Sequence, residues 1–444
     1  MVTIGKPMTR RSHRAGALTA AACALALLAA ACGGSGGGTG ATGSASPKQF
    51  TYLTNAENTT IKTELATLAK TSCAAANKAL PLTVDTVPQT NLDQKLQLLA
   101  GQDALPVQFA AGSTPQLTAT LNKAGDLVNF QQALSKLGVL GDIQPAAIST
   151  IKSLYGGKFD VLPYELNIEG IFYNKKLFAS HGVAVPQTWD QLVAAAAKFK
   201  AAGIIPLSAS GQQGWPITRL ISGYLFRELG PSALQEVADG QAKLTDPAYV
   251  KAAQAVAALG ARGYFGQGVG SIDYNTSISQ FLTGKAAMLY MGSWALANVA
   301  DPKQDTIGAS DVGFMPFPMV PGGQGNIEQY PANVGLPMTM SAKLYGPKVG
   351  AWLKCIAQNY GSAVLKDQSV ISGFRVNTPV TGESPLAQAV QSTIAHTGQT
   401  VLWFEALFNA KATTTSQTNA APLVSGSISA QQFMSMVQTD LASP

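Results

Sequence analysis

From Pro47 onward, hydrophobic and polar positions fall into two recurring periods. Residues 50–54 (FTYLT) and Leu82–Val87 (LTVDTV) alternate, the period that places every second side chain on one face of a strand. Between them Ile61, Leu65 and Leu68 recur every three or four residues, which predicts a helix from about Asn58, with Cys73 beside it. Residues 91–100 are again helical, and 107–110 form a third strand that runs into the small-residue loop Ala111-Gly112-Ser113-Thr114. Strand, helix, strand, helix, strand is the signature of a parallel sheet with crossover helices. Such sheets bind ligands at the C-terminal ends of their strands, so Asn55, Glu57 and Ser113 fall at a candidate rim.

A second block begins near Phe159. Leu166, Ile168, Gly170 and Phe172 alternate against Asn167, Glu169, Ile171 and Tyr173, which predicts one well-marked strand. Asn174 starts a helix ending near Gly182, Pro186 breaks the chain, Thr188 caps the next helix and Ala202-Gly203 closes it. Further helices are expected at 218–229, at 246–261 and around Trp403, and no internal repeat stands out. The stretch FLTGKAAMLYMGSW, residues 281–294, reads as a helix end, a glycine break and an apolar strand that stops abruptly at Gly-Ser-Trp.

Composition adds compartment and size. The 444 residues suffice for two cores. The formal charge is +6, but Lys6, Arg10, Arg11 and Arg14 supply four of those charges, leaving about +2 for the remainder, which gives no basis for nucleic-acid binding. Residues 1–32 have the form of an export signal: a basic start, an apolar run from Ala15 to Ala31, and small residues before Cys32. LLAAAC resembles a bacterial lipobox, in which Cys32 is lipidated, with Ala29 standing where leucine is usual; an ordinary cleaved signal is the alternative. Thr9-Arg10-Arg11 leaves twin-arginine and general secretory export both open. Residues 33–47 are a Gly/Ser tether with a reach of roughly 20 Å. Its Gly33-Gly34-Ser35-Gly36-Gly37 has neither the strand nor the helix of a nucleophile elbow around it. Cys73 and Cys355 then remain as a pair in an oxidising compartment, either a disulfide or two buried thiols.

LNIEGIFYNKKLFASHGVAVPQTWDQLVAAAAKFKAAGIIPL, residues 166–207, resembles the central signature of the family 1 extracellular solute-binding proteins of ABC importers, the group that includes maltose-binding protein. The 281–294 stretch resembles their Phe-x-x-Gly-x-x-Ala-Met and Gly-x-Trp signature, and FMPFPMVPGG and LVSGSISAQQFMSMVQ resemble weaker ones. The resemblance implies an α/β fold of two lobes, each a β-sheet flanked by helices, joined by a hinge that the chain crosses more than once. Crossings are expected near 162–165, 305–313 and Gly373, so that 48–162 with 308–372 form one lobe and 163–307 with 373–444 the other. Cys73 and Cys355 then share a lobe, where a disulfide would not obstruct closure.

By the same resemblance, Trp294 opens on the interlobe cleft and stacks its indole on the C–H face of a sugar, where strand-end packing is the plainer reading. Trp403 matches a late cleft aromatic and Trp215 lies in a Gly-rich loop, whereas Trp189 and Trp352 read as structural. Asn167, Glu57, Ser113, Asn55, Asn333 and Arg375 are candidate hydroxyl readers, and Tyr164 and Glu165 serve either hinge or ligand. Glu169 reads as a solvated strand residue or salt-bridge partner. The implied function is that of a monomeric, lipid-anchored receptor on the outer face of the bacterial membrane. It captures a neutral di- or oligosaccharide without chemistry, cofactor or metal and delivers it to permease subunits. A glycoside hydrolase is the rival reading. Its obvious pair, Glu165 and Glu169, would lie ~13 Å apart along a strand, against the roughly 5–9.5 Å such enzymes use. A glycerol phosphate receptor is the rival within the class, and it would need a cluster of cations where Arg375 alone was found. His181 and His396 lack metal-ligand spacing.

Overall fold

Ten strands are seen in a computed structural model that describes residues 46–112, 115–397 and 400–443. They are β1 (Phe50–Asn55), β2 (Leu82–Val87), β3 (Gln108–Ala110), β4 (Asn167–Asn174), β5 (Ile205–Ser208), β6 (Ala286–Gly292), β7 (Val312–Met315), β8 (Tyr330–Asn333), β9 (Met338–Met340) and β10 (Thr400–Val401). The first sheet has the order β2-β1-β3-β9, parallel except for β9, and the second has the order β10-β8-β4-β6-β5 with β7 also paired to β4. Each sheet is covered by helices, giving two α/β lobes.

In the first lobe, the helix Thr59–Leu68 turns Ile61, Leu65 and Leu68 onto Phe50 and Tyr52 of β1. The long helix Pro347–Gln368 adds Trp352, whose ring lies 4.9 Å from Phe50 and whose indole N–H donates to the Leu80 carbonyl at 2.8 Å. Cys73 and Cys355 are joined in a disulfide within this lobe. In the second lobe, β4 is central, so both of its faces are covered and every residue but Tyr173 is buried. Thr188 and Gln191 form a capping box at the start of the helix Trp189–Ala201. The helix Trp215–Leu229 starts three residues earlier than the apolar pattern indicates. Gly214, at φ +73°, turns the chain into it, and Pro216 suits the first turn, where no N–H partner is needed.

The lobes are joined where three chain segments lie side by side. Leu162 donates to Met338 at 2.7 Å, Gly373 to Pro163 at 2.9 Å and Leu166 to Ile371 at 2.9 Å. The first and third passages therefore run through Pro163–Leu166 and Ile371–Gly373. The second lies between Asn333 and Met338 and not at 305–313: β7 and β8 pair with β4, so residues 308–333, assigned from sequence to the first lobe, belong to the second sheet. Trp403 is likewise not helical, lying in the turn between β10 and the helix Ala410–Thr418. Among the described residues, no helix is long and apolar enough to cross a membrane.

Candidate functional site

Strand β6 runs into Gly-Ser-Trp because the chain needs a close approach there. After Gly292 a single 3-10 turn, Ser293–Ala295, folds the Trp294 ring back over the Gly292 Cα, and a Cβ at that position would overlap the indole. Any side chain larger than hydrogen would push the ring away. Trp294 stays partly exposed, and its N–H donates to the Tyr274 hydroxyl at 3.0 Å. Trp215, the first residue of its helix, meets Trp294 edge to face at 5.9 Å and Tyr274 at 6.0 Å. One turn along the same helix, the Arg219 guanidinium lies 5.1 Å from the Trp215 ring and 5.2 Å from that of Trp403. The cation thus bridges two indoles that are far apart in sequence.

These side chains line one cavity of about 660 Å³. The second lobe contributes its aromatic wall of Trp215, Tyr274, Trp294 and Trp403, together with Arg219 and Glu405. The first lobe contributes the polar side chains of Asn55, Glu57, Asn58, Gln89 and Gln368, together with Tyr155. Glu165, Asn333 and Gly335, from the segments that cross between lobes, also line it.

The polar groups hold one another in place. Asn55 accepts from the backbone of Asn58 at 2.6 Å, Asn58 donates to Glu165 at 3.3 Å and Glu57 accepts from the backbone of Gln89 at 3.0 Å. Asn167 donates to Glu165 at 2.8 Å and to Asn333 at 3.4 Å, and Asn333 donates to Glu169 at 2.9 Å. This ladder follows from register, since Asn167 and Asn333 face each other across the β4–β8 pair. Burial pushes the Glu165 carboxyl above its ordinary range, and hydrogen bonds from Asn167 and Asn58 only partly restrain it. Burial likewise raises the Glu405 carboxyl against the pull of Arg219 and Thr218. For Arg219, burial alone would lower the pKa, but Glu169 and then Glu405 outweigh it and hold the guanidinium charged.

Of the residues singled out from sequence, Asn55, Glu57, Glu165, Trp215, Trp294, Asn333 and Trp403 line the cavity. Asn167 stands behind it, with its side-chain Oδ1 accepting from the Ser293 hydroxyl at 2.9 Å, so it braces Glu165 rather than lining the space itself. Tyr164 takes the hinge alternative and not the ligand one: it lies in the first crossing, fully buried, its hydroxyl donates to Gln108 at 2.7 Å, and its ring is edge-on to Tyr360 at 4.7 Å. Arg375 departs from the expectation, lying exposed beyond the third crossing and away from the cavity. Glu169 is no solvated strand residue but is fully buried and ion-paired to Arg219. Ser113 and Cys32 fall outside the described residues. The sequence reading passed over Arg219, Tyr274, Asn58 and Glu405. Trp215 and Arg219 share a helix face only because the helix starts at Trp215 and not at 218, which hid the first of these from the sequence pattern. Among the described residues, no group of three or more His, Cys, Asp or Glu is arranged to hold a metal ion.

The profile of the family described as bacterial extracellular solute-binding protein matches residues 82–353, more than half of the chain. The chain belongs to this family. A multiple sugar-binding protein of Streptococcus mutans is 25% identical over 238 residues, 50% of this chain and 54% of that protein. The sn-glycerol-3-phosphate-binding periplasmic protein of Escherichia coli (strain K12) is 26% identical over 226 residues, 47% of this chain and 50% of that protein. The solute-binding protein thus spans about half the length of the curated relatives it matches. A solved chitin oligosaccharide binding protein superposes with a TM-score of 0.78 at 25% identity, covering 89% of this chain and 98% of that one.

Proposed function

We propose that this solute-binding protein captures a neutral carbohydrate, of disaccharide size or somewhat larger, between its lobes and delivers it unaltered to an ABC importer. A lipid on Cys32 would hold it at the outer face of the membrane, with residues 33–47 as the tether. The observation that carries this reading is the pairing, in one cavity, of clustered aromatic faces with a frame of amides and carboxylates. Three indoles and the Tyr274 phenol cluster on the second-lobe side, and amide and carboxylate groups such as Asn55, Glu57, Gln89, Asn298, Asp301 and Glu405 come from both lobes. Indoles exclude water from the weakly apolar C–H faces of a pyranose, while fixed acceptors and donors read its equatorial hydroxyls. An unpaired buried hydroxyl costs ~1–3 kcal/mol, so the bonded polar frame sets which hydroxyl pattern is accepted. The cavity of about 660 Å³ lies within the roughly 300–1,000 Å³ of ligand pockets.

A phosphorylated ligand is disfavoured by charge. Among the described residues, Glu57, Glu165, Asp301, Asp367 and Glu405 line the cavity against the single cation Arg219, which already has carboxylate partners. Relatives named for sugar binding and for sn-glycerol-3-phosphate binding match at similar identity, so the choice rests on the cavity's charges.

The test is a thermal-shift screen of mono- and oligosaccharides followed by analysis of the recovered sugar. Saturating ligand at ~100 times Kd adds about 2.7 kcal/mol to the unfolding free energy, so a cognate sugar raises Tm by several degrees and is recovered intact. No shift across the panel would refute the carbohydrate reading, and cleavage of the sugar would replace it with a hydrolase.

A further inference from the structure

Arg219 is the one Lys or Arg among the described residues lining the cavity, and its side chain, 13% exposed, lies among two indoles and two carboxylates. The indoles of Trp215 and Trp403 lie over its guanidinium. Nη1 is bonded to Glu169, and Nε faces Glu405 Oε2 at 3.8 Å. We propose that Glu405, together with Glu169, is a specificity-determining residue: the two carboxylates mask Arg219, so that the cavity admits uncharged polyols and turns away phosphorylated solutes. This inference rests on the carbohydrate reading and extends it to the groups that enforce it.

Phosphate is recognised where guanidinium and ammonium donors are free to point at its oxygens. Here Nη1 is bonded to Glu169, and two carboxylates around one guanidinium leave the cluster net negative. Glu165 adds a further carboxylate on the same cavity. A dianion entering between such walls meets repulsion that the low local dielectric strengthens.

The geometry of Glu405 indicates that its charge matters apart from its shape. It is fully buried, and its Oε1 accepts from the hydroxyls of Thr218 and Ser416. A glutamine of the same size would accept both bonds, so what the carboxylate adds is the negative charge opposite Arg219. Thr218 neighbours Arg219 on the helix Trp215–Leu229, which ties the mask to the same element that carries the cation.

The experiment titrates the full chain with sn-glycerol 3-phosphate and with the best neutral sugar from the panel, using calorimetry, for the native protein, Glu405→Gln and Glu169→Gln/Glu405→Gln. The native protein is expected to show no binding of the phosphate ester. The variants are expected to acquire it, lowering the preference for neutral over phosphorylated ligand at least tenfold. Adding Arg219→Gln should abolish that gain, and Glu405→Asp, which retains the charge, should keep rejecting the ester. Binding of sn-glycerol 3-phosphate by the native protein would overturn the proposal. So would folded Glu405→Gln with no gain; this single isosteric variant decides the matter if the double one does not fold. Failure of every neutral sugar to bind the native protein would instead refute the carbohydrate reading, and masking would then stand or fall on the gain of phosphate binding alone.

Discussion

Trp294 and Glu165 show how single side chains are set by what surrounds them. The Trp294 indole lies over Gly292, so Gly292→Ala forces the ring out of the cavity wall. Trp294→Ala should weaken sugar binding by roughly 1.5–3 kcal/mol, ten- to hundredfold. Gly292→Ala, although it leaves the tryptophan in the chain, should weaken it in the same direction, and calorimetry on both variants checks this. Glu165 is buried and bonded to Asn58 and Asn167. Burial raises its pKa above the ordinary 4.5. The folded chain therefore binds more protons than the unfolded chain in the window that opens near 4.5, and its contribution to stability is lost as pH rises through the raised folded value. Glu165→Gln should flatten that fall in urea midpoints measured from acid to neutral pH. Hydrogen bonds to a charged group contribute about 1.5–3 kcal/mol, so the same variant should lose about tenfold or more in sugar affinity. At this scale tryptophans were legible because their bulk is conspicuous next to glycine. Glu405 and Asn58 were not, because a lone polar residue in a loop gives no period to read.

Elements were more legible than their boundaries. The Thr188 cap, the central strand and the helix bearing Trp352 all follow from local pattern, since caps and periods depend on residues within a few positions. Trp403 shows where that fails. VLWFEAL has helical apolar spacing, but the spacing is satisfied by a turn in which Phe404 and Phe408 meet at 5.1 Å. The disulfide is an element-scale brace, tying the residue before the helix Ala74–Ala79 to the helix Pro347–Gln368 inside one lobe. Cys73→Ala/Cys355→Ala should cost about 2–4 kcal/mol in unfolding free energy and leave sugar affinity within about twofold, because neither cysteine lines the cavity. Chemical denaturation and calorimetry on that variant measure the two quantities separately.

Closure belongs to the molecule as a whole. The three adjoining passages at Pro163–Leu166, Asn333–Met338 and Ile371–Gly373 are short, and the cavity walls come from either side of them. A ligand that touches both walls favours the closed state by its differential affinity for the two. Small-angle X-ray scattering should therefore show a smaller radius of gyration with the cognate sugar and no change with a sugar that gives no thermal shift. By itself the sequence determined the periodic elements, the family and the presence of three tryptophans suited to stacking. Those properties are carried by residues close together in the chain. Only the tertiary structure decided that β7 and β8 join β4, that Arg219 sits between Trp215 and Trp403, and that Tyr164 and Arg375 stay off the cavity. The reason is physical: strand pairing and side-chain packing bring together segments such as Asn55 and Glu405 from opposite ends of the chain, and no local period records which distant surfaces meet.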